Sequence, residues 1–175
     1  MNHHDHTHIH GAGVHTGKNL SDFTPLIVIF AVVIALTVIA TTWWDGGVMS
    51  AMQFFMGFFF LVFGGFKTLN LSGFADAYAE YDLLGKRSRT YGLLYPFIEL
   101  GLAILFLTGV LPIITSTLTL VLMLFSALGV YLKLRKKEEV PCACLGVVFK
   151  VPMTWVTLGE DLLMAAMAAL MLFMV

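Results

Sequence analysis

The sequence has few charged residues: Asp, Glu, Lys and Arg together make up 12% of its 175 residues, whereas hydrophobic residues make up 59%. A soluble domain carries about 25% charged residues, and a soluble fold of this size could not keep so much apolar surface away from water. The net charge of −1 lacks the basic excess that nucleic-acid binding requires. Because a lipid bilayer solvates apolar side chains directly, we expect an integral membrane protein with no nucleic-acid partner.

Cysteine is also scarce, and the pattern of a secretory leader is missing. The two cysteines exclude a scaffold held together by disulfides, although they leave redox or metal chemistry open. Residues 1–24 are polar and rich in histidine, so they lack the charged start and apolar stretch of a signal peptide. We predict a disordered, His-rich cytoplasmic tail over residues 1–24.

Long apolar runs fill most of the remaining chain. Each run has about 18 to 23 residues, which is enough to cross a hydrocarbon core of about 30 Å as a helix. The predicted fold class is therefore all-α: a polytopic membrane protein with five transmembrane helices. Apolar side chains at helical spacing also predict a short helix over residues 71–84, either at the membrane interface or packed on the bundle. The five runs are residues 25–42, 48–66, 92–111, 112–134 and 153–175.

Basic residues are absent from two of the connections between these runs. All ten Lys and Arg residues lie before the first run, between the second and third, or from the last turn of the fourth run to the start of the fifth. Positive side chains are retained on the cytoplasmic side. The pattern therefore predicts a bacterial-type inner membrane protein with its N-terminus in the cytoplasm and its C-terminus outside.

The two cysteines, Cys142 and Cys144, lie one residue apart in a segment bracketed by the turn formers Pro141 and Gly146. Such a pair can close a small, strained disulfide that is easily reduced, which suits thiol exchange. It can equally supply two thiolates to a soft metal. Basic residues on both sides favour the thiolate form. On the predicted topology the pair faces the reducing cytoplasm, so a disulfide there would be transient.

An acidic residue, Glu99, lies inside the third run, three residues after Pro96. An acid within a span costs about 2.5 kcal/mol or more at mid-depth, and it usually faces the bundle interior. Lys67 follows the second run at the same depth. We predict an ion pair between Lys67 and Glu99 across the two helices, with a snorkelling lysine and a hydrated glutamate as the alternative. Glu99 would then be available for proton transfer.

All six histidines lie in the N-terminal tail. Neutral imidazoles at this density bind Zn, Cu or Ni. The alternatives are a disordered leader or an artificial tag, although interleaved Asp, Thr and Ile residues favour a natural tail. The predicted metal ligands are His3, His4, His6, His8 and His10, with Cys142 and Cys144 as soft ligands.

Three local patterns follow one another along the chain. They are FGGFKTL at 63–69, YPFIEL at 95–100 and PCACLG at 141–146. Together they resemble the MauE/DoxX group of redox-associated membrane proteins, and MauE more than DoxX because of the paired cysteines. The resemblance covers residues 48–175 and implies a four-helix transmembrane domain, to which the tail and the helix at 25–42 are additions. It also implies a thiol-redox role that involves Cys142, Cys144, Lys67, Pro96 and Glu99.

The leading functional prediction is a membrane thiol-redox component that passes electrons or a disulfide to a partner protein through Cys142 and Cys144. A relay across the whole membrane would need a quinone or a further protein, because the chain has no second cysteine pair. One alternative is a membrane protein that binds or transports a soft metal (Cu, Hg or Zn) through the tail and the cysteines. Another is a non-catalytic subunit of a membrane complex. Whether the chain is an enzyme, and whether it forms oligomers, stays open.

Overall fold

A computed structural model describes residues 24–44, 46–82, 84–136, 141–142, 145, 151–152 and 155–174. Within these residues the chain forms six α-helices and one pair of two-residue strands. β1 (Pro141–Cys142) and β2 (Val151–Pro152) lie between the last two helices and pair antiparallel. The helices are α1 (Thr24–Trp43), α2 (Gly47–Thr68), α3 (Leu71–Tyr78), α4 (Arg89–Thr108), α5 (Pro112–Arg135) and α6 (Trp155–Met174).

Every described helix except α3 is long and apolar enough to cross a membrane, which confirms the predicted all-α fold with five transmembrane helices. The outward faces are apolar: Ile104, Val121 and Leu170 are each more than half exposed, as expected of side chains that contact lipid. Successive spans run in opposite directions, so the basic connections α2–α4 and α5–α6 lie at one end of the bundle. Which end faces the cytoplasm stays a prediction.

The spans pack as two close pairs, α2 with α4 and α5 with α6, and α1 packs along α2. Small residues allow the first pair to approach closely. A Cβ atom added to Gly57 would lie 2.7 Å from the side chain of Leu107. Near the same end, Gln53 Nε2 donates a hydrogen bond of 2.8 Å to the carbonyl of Phe106. This bond joins α2 to α4 at the end opposite the basic connections.

The connection between α4 and α5 is only three residues long. Gly109 ends α4 in the left-handed conformation with φ 69°, which glycine adopts without a steric penalty. Leu111 also has a positive φ, of 54°, and Pro112 begins α5, where its missing N–H costs no helical hydrogen bond. So short a connection forces α4 and α5 to run antiparallel.

The short helix α3 packs on the bundle as a connecting helix. It begins after Asn70, whose side chain accepts a hydrogen bond of 2.9 Å from the first turn. It ends at Tyr78, earlier than the predicted 71–84, because Asp82 accepts hydrogen bonds from two following backbone amides and closes a turn instead. Phe74 and Tyr78 are buried, so α3 covers the polar end of the α2–α4 pair.

Candidate functional site

An ion pair between Lys67 of α2 and Glu99 of α4 is buried within the helix bundle. The Nζ atom of Lys67 lies 2.5 Å from Oε1 and 2.6 Å from Oε2 of Glu99. The two residues are only 6% and 2% exposed. The structure therefore contains the pair that the sequence predicts, and the alternative of a snorkelling lysine is wrong. A catalytic role for either residue stays a prediction.

The close approach of α2 and α4 at this point depends on Gly64. It lies three residues before Lys67, on the same face of α2. A Cβ atom at Gly64 would be 3.3 Å from the Cβ atom of Glu99 and 3.3 Å from the side chain of Leu100. The absence of a side chain thus brings the backbone of α4 within reach of the lysine.

Aromatic rings surround the ammonium group of Lys67. Its Nζ atom lies 5.1 Å from the ring centroid of Tyr95 and 5.6 Å from that of Phe74. A cation within about 6 Å of a ring face is attracted by the ring quadrupole, and the attraction is larger when water is excluded. The rings therefore supplement the carboxylate in holding a buried positive charge.

Tyr78 of α3 completes this aromatic wall. Its ring centroid lies 4.6 Å from that of Tyr95 and 5.1 Å from that of Phe74. Burial raises the pKa of Tyr78 well above its usual value, and the nearby Tyr95 and Asp82 add to the effect. The Tyr78 hydroxyl is consequently neutral over the physiological range.

Two further acids from α6 reach the same region. Asp161 Oδ2 accepts a hydrogen bond of 2.9 Å from the hydroxyl of Ser126 on α5. The adjacent Glu160 has an oxygen, Oε1, that is shielded from solvent and has no hydrogen-bond partner. None of these three residues was predicted as part of a site from the sequence. Two consecutive acids inside an apolar run were a visible signal, because acids within spans usually face the interior of the bundle.

A cavity of about 30 Å³ lies between these groups, where α2, α4, α5 and α6 meet. This volume accommodates about two water molecules, and it is far below the roughly 300 Å³ of a typical small-molecule pocket. This cavity therefore suits water and protons. Its polar lining includes Lys67, Tyr78, Tyr81, Tyr95, Glu99, Ser126, Thr157, Glu160 and Asp161.

The cysteine segment approaches this end of the bundle. β1, which includes the backbone of Cys142, has Cα atoms within 8 Å of α3. Leu145 is 1% exposed and belongs to the hydrophobic core, so the segment is anchored to the helices. The Cys142 side chain and all of Cys144 lie outside the described residues.

The predicted metal ligands of the tail are likewise outside the part of the chain that the structure describes; they are His3, His4, His6, His8 and His10. Among the described residues, no group of three or more His, Cys, Asp or Glu side chains is placed to hold a metal ion. The prediction of metal binding through the tail and the cysteines is therefore not tested by the structure.

Comparison with known proteins identifies the family. No curated protein and no solved structure matches the chain. The model of the family described as "Methylamine utilisation protein MauE" matches residues 46–174, which is well over half of the chain and includes every helix after α1. A buried Lys–Glu pair and a paired-cysteine segment thus lie within the matched region, and the chain belongs to the MauE family.

Proposed function

We propose that this protein is a membrane thiol-redox component in which Cys142 and Cys144 exchange a disulfide with the cysteines of a partner protein. The buried polar cluster lies beneath α3, and β1 of the cysteine segment contacts α3 at the same end of the bundle. The partner approaches at the membrane surface, on the side of the basic connections. The cytoplasm is the compartment that we propose for this side.

The exchange requires no oxidant beyond the partner's disulfide. A thiolate of the pair attacks that disulfide, which forms a mixed disulfide and releases one partner thiolate to take up a proton. The second thiolate of the pair then attacks the mixed disulfide. This step closes the Cys142–Cys144 bond and leaves the partner with two thiols. The reverse exchange with a cellular dithiol restores the starting state.

The observation that carries the proposal is the position of β1. β1 includes the backbone of Cys142 and contacts α3, which covers the end of the bundle where the buried charges lie. Basic residues on both sides of the segment favour the nucleophilic thiolate. Membership of the MauE family is consistent with a redox or accessory role.

Redox titration with thiol trapping tests the proposal. The reconstituted protein is equilibrated in buffers of graded thiol–disulfide potential, and free thiols are counted after modification with a large maleimide. Because the chain contains only two cysteines, the count should fall from two to none in one two-electron transition. Cys142→Ser and Cys144→Ser serve as matched controls and should retain one trapped thiol throughout. A pair that stays fully reduced in every buffer would contradict the proposal.

Soft-metal binding remains the competing hypothesis, and no contact in the described residues favours it. Titration of the protein with Cu(I) or Zn²⁺ distinguishes the two hypotheses. The thiol-redox proposal predicts that removal of residues 1–23 leaves the redox transition unchanged. Metal binding that needs both the tail and the cysteines, without a reversible disulfide, would favour the metal hypothesis instead.

A further inference from the structure

The cavity between α2, α4, α5 and α6 contains more negative than positive groups. Three carboxyl groups line it, from Glu99, Glu160 and Asp161, and Lys67 is the one cation among its lining residues. With every group ionised, the site would carry a net charge of −2. Uncompensated charge within a span is costly, because neither lipid nor packed side chains solvate it.

Lys67 forms its ion pair with one of the three acids, Glu99. Both oxygens of Glu99 lie within 2.6 Å of its Nζ atom, so this pair is neutral as a unit. The excess negative charge therefore falls on Glu160 and Asp161. These residues are consecutive in α6 and partly exposed, and both line the cavity. Two carboxylates that share a site repel each other, which favours the retention of one proton.

The hydrogen bonds of the two acids differ in a way that accommodates such a proton. Asp161 Oδ2 accepts from Ser126 at 2.9 Å, as an ionised carboxylate does. Glu160 Oε1 is shielded from solvent without a partner, and a buried acceptor without a donor costs about 1–3 kcal/mol. A proton on Glu160 would turn this oxygen into a donor toward the cavity, where a water molecule fits.

The remaining groups that face the cavity do not supply the missing positive charge. α3 and the turn after it contribute the hydroxyls of Tyr78 and Tyr81, α4 contributes that of Tyr95, and α6 contributes Thr157. None of these side chains is cationic at neutral pH. The described residues also provide no cluster placed to coordinate a metal ion.

We infer that Glu160 and Asp161 form a proton-binding site, which holds one exchangeable proton at neutral pH inside the membrane-spanning bundle. The same cavity is lined by the Lys67–Glu99 pair and has room for water between the two groups. The inference goes beyond the proposed thiol exchange and does not depend on it, since it concerns side chains that the exchange does not use.

Infrared spectroscopy of the protein in lipid tests the inference directly, because a protonated carboxyl group absorbs at a higher frequency than a carboxylate. At pH 7 the unmodified protein should show this protonated band. The band should shift in D₂O because the proton exchanges through the cavity water, and it should disappear as the pH is raised.

Isosteric variants assign the band. Glu160→Gln and Asp161→Asn combined should abolish it at pH 7, whereas the exposed controls Glu80→Gln and Asp76→Asn should leave it unchanged. Lys67→Met should roughly double it, since Glu99 then becomes the second protonated carboxyl. Circular dichroism verifies that each variant is folded. If a variant is unfolded, ¹³C labelling of glutamate or aspartate in the unmodified chain assigns the band by residue type.

Three results would overturn the inference. The first is the absence of a protonated band at pH 7. The second is a band that survives when both α6 acids are replaced. The third is a band that vanishes on addition of Na⁺ or Ca²⁺ at constant pH, which would identify a metal-cation site instead. None of these results depends on the state of the two cysteines, so the inference and the proposed function can fail separately.

Discussion

Replacement of Lys67 by Met should leave Glu99 buried without its partner, and the cost can be worked from the structure. Glu99 is 2% exposed, so it escapes the loss of the lysine by taking a proton. Protonating a glutamate with an ordinary pKa of about 4.3 costs about 3.7 kcal/mol at pH 7 and about 1 kcal/mol at pH 5. Breaking one side of a buried ion pair costs about 3–5 kcal/mol by mutation, which agrees with the value at pH 7.

A double-mutant cycle isolates this interaction. It uses Lys67→Met, Glu99→Gln and the combined variant, with the free energy of unfolding measured in lipid or detergent. We expect a coupling energy of about 3 kcal/mol or more at pH 7. The destabilisation caused by Lys67→Met alone should shrink as the pH falls, because the unpaired glutamate then takes its proton at a lower cost.

The protein contains its own control for this cycle. Arg89 and Asp76 also form a salt bridge, with Nε 3.1 Å from Oδ1, but their side chains are 62% and 63% exposed. The same cycle at this pair should give about 0.2–1 kcal/mol. A coupling at Lys67 and Glu99 no larger than that at the exposed pair, or a destabilisation by Lys67→Met that does not change with pH, would refute the reasoning.

Three further predictions follow from individual side chains. Gly64→Val should destabilise the protein by about 1–3 kcal/mol, because the new methyl groups would contact α4. Gly65→Val is the control and should have a much smaller effect, because no atom lies within 4 Å of a Cβ atom at that position. Equal effects of the two variants on thermal unfolding would contradict the close approach of α2 and α4. The raised pKa of Tyr78 means that its contribution to stability is present below about pH 10 and is lost as the pH rises further. In Tyr78→Phe the free energy of unfolding should therefore fall less steeply with pH above about pH 10. An unchanged slope would argue against the raised pKa of Tyr78. A membrane-impermeant maleimide should label Cys142 and Cys144 only after the cells are opened; labelling of intact cells would reverse the predicted orientation.

The fold could be predicted from the sequence because membrane insertion leaves a strong signal in hydropathy. An apolar run of about 20 residues without charges is long enough to cross the membrane as a helix, and a helix pairs every backbone N–H and C=O group within itself. The ends of the helices were less certain. α4 begins at Arg89 with Ser88 as its cap, three residues before the predicted run, because hydropathy detects the apolar part of a helix and misses its polar first turn.

The candidate site was only partly predictable. The Lys67–Glu99 pair could be predicted because each residue is a rare charge at a similar depth in neighbouring spans. Pairing them has a lower free energy than leaving either charge isolated in the membrane. That Lys67 and Glu99 line one cavity with Ser126 and Asp161 could not be predicted. This proximity depends on how the α2–α4 pair is rotated relative to the α5–α6 pair. Periodicity within one helix carries no information about that rotation.

The polar contacts of the site follow the division of the bundle into two helix pairs. The Lys67–Glu99 contact joins α2 to α4, and the Ser126–Asp161 contact joins α5 to α6. The cavity lies at the seam, where the packing between the pairs is sparser than within them. A small separation of the two helix pairs would therefore let water reach Glu160 and Asp161. Water would enter between the pairs without breaking the Lys67–Glu99 or the Ser126–Asp161 contact.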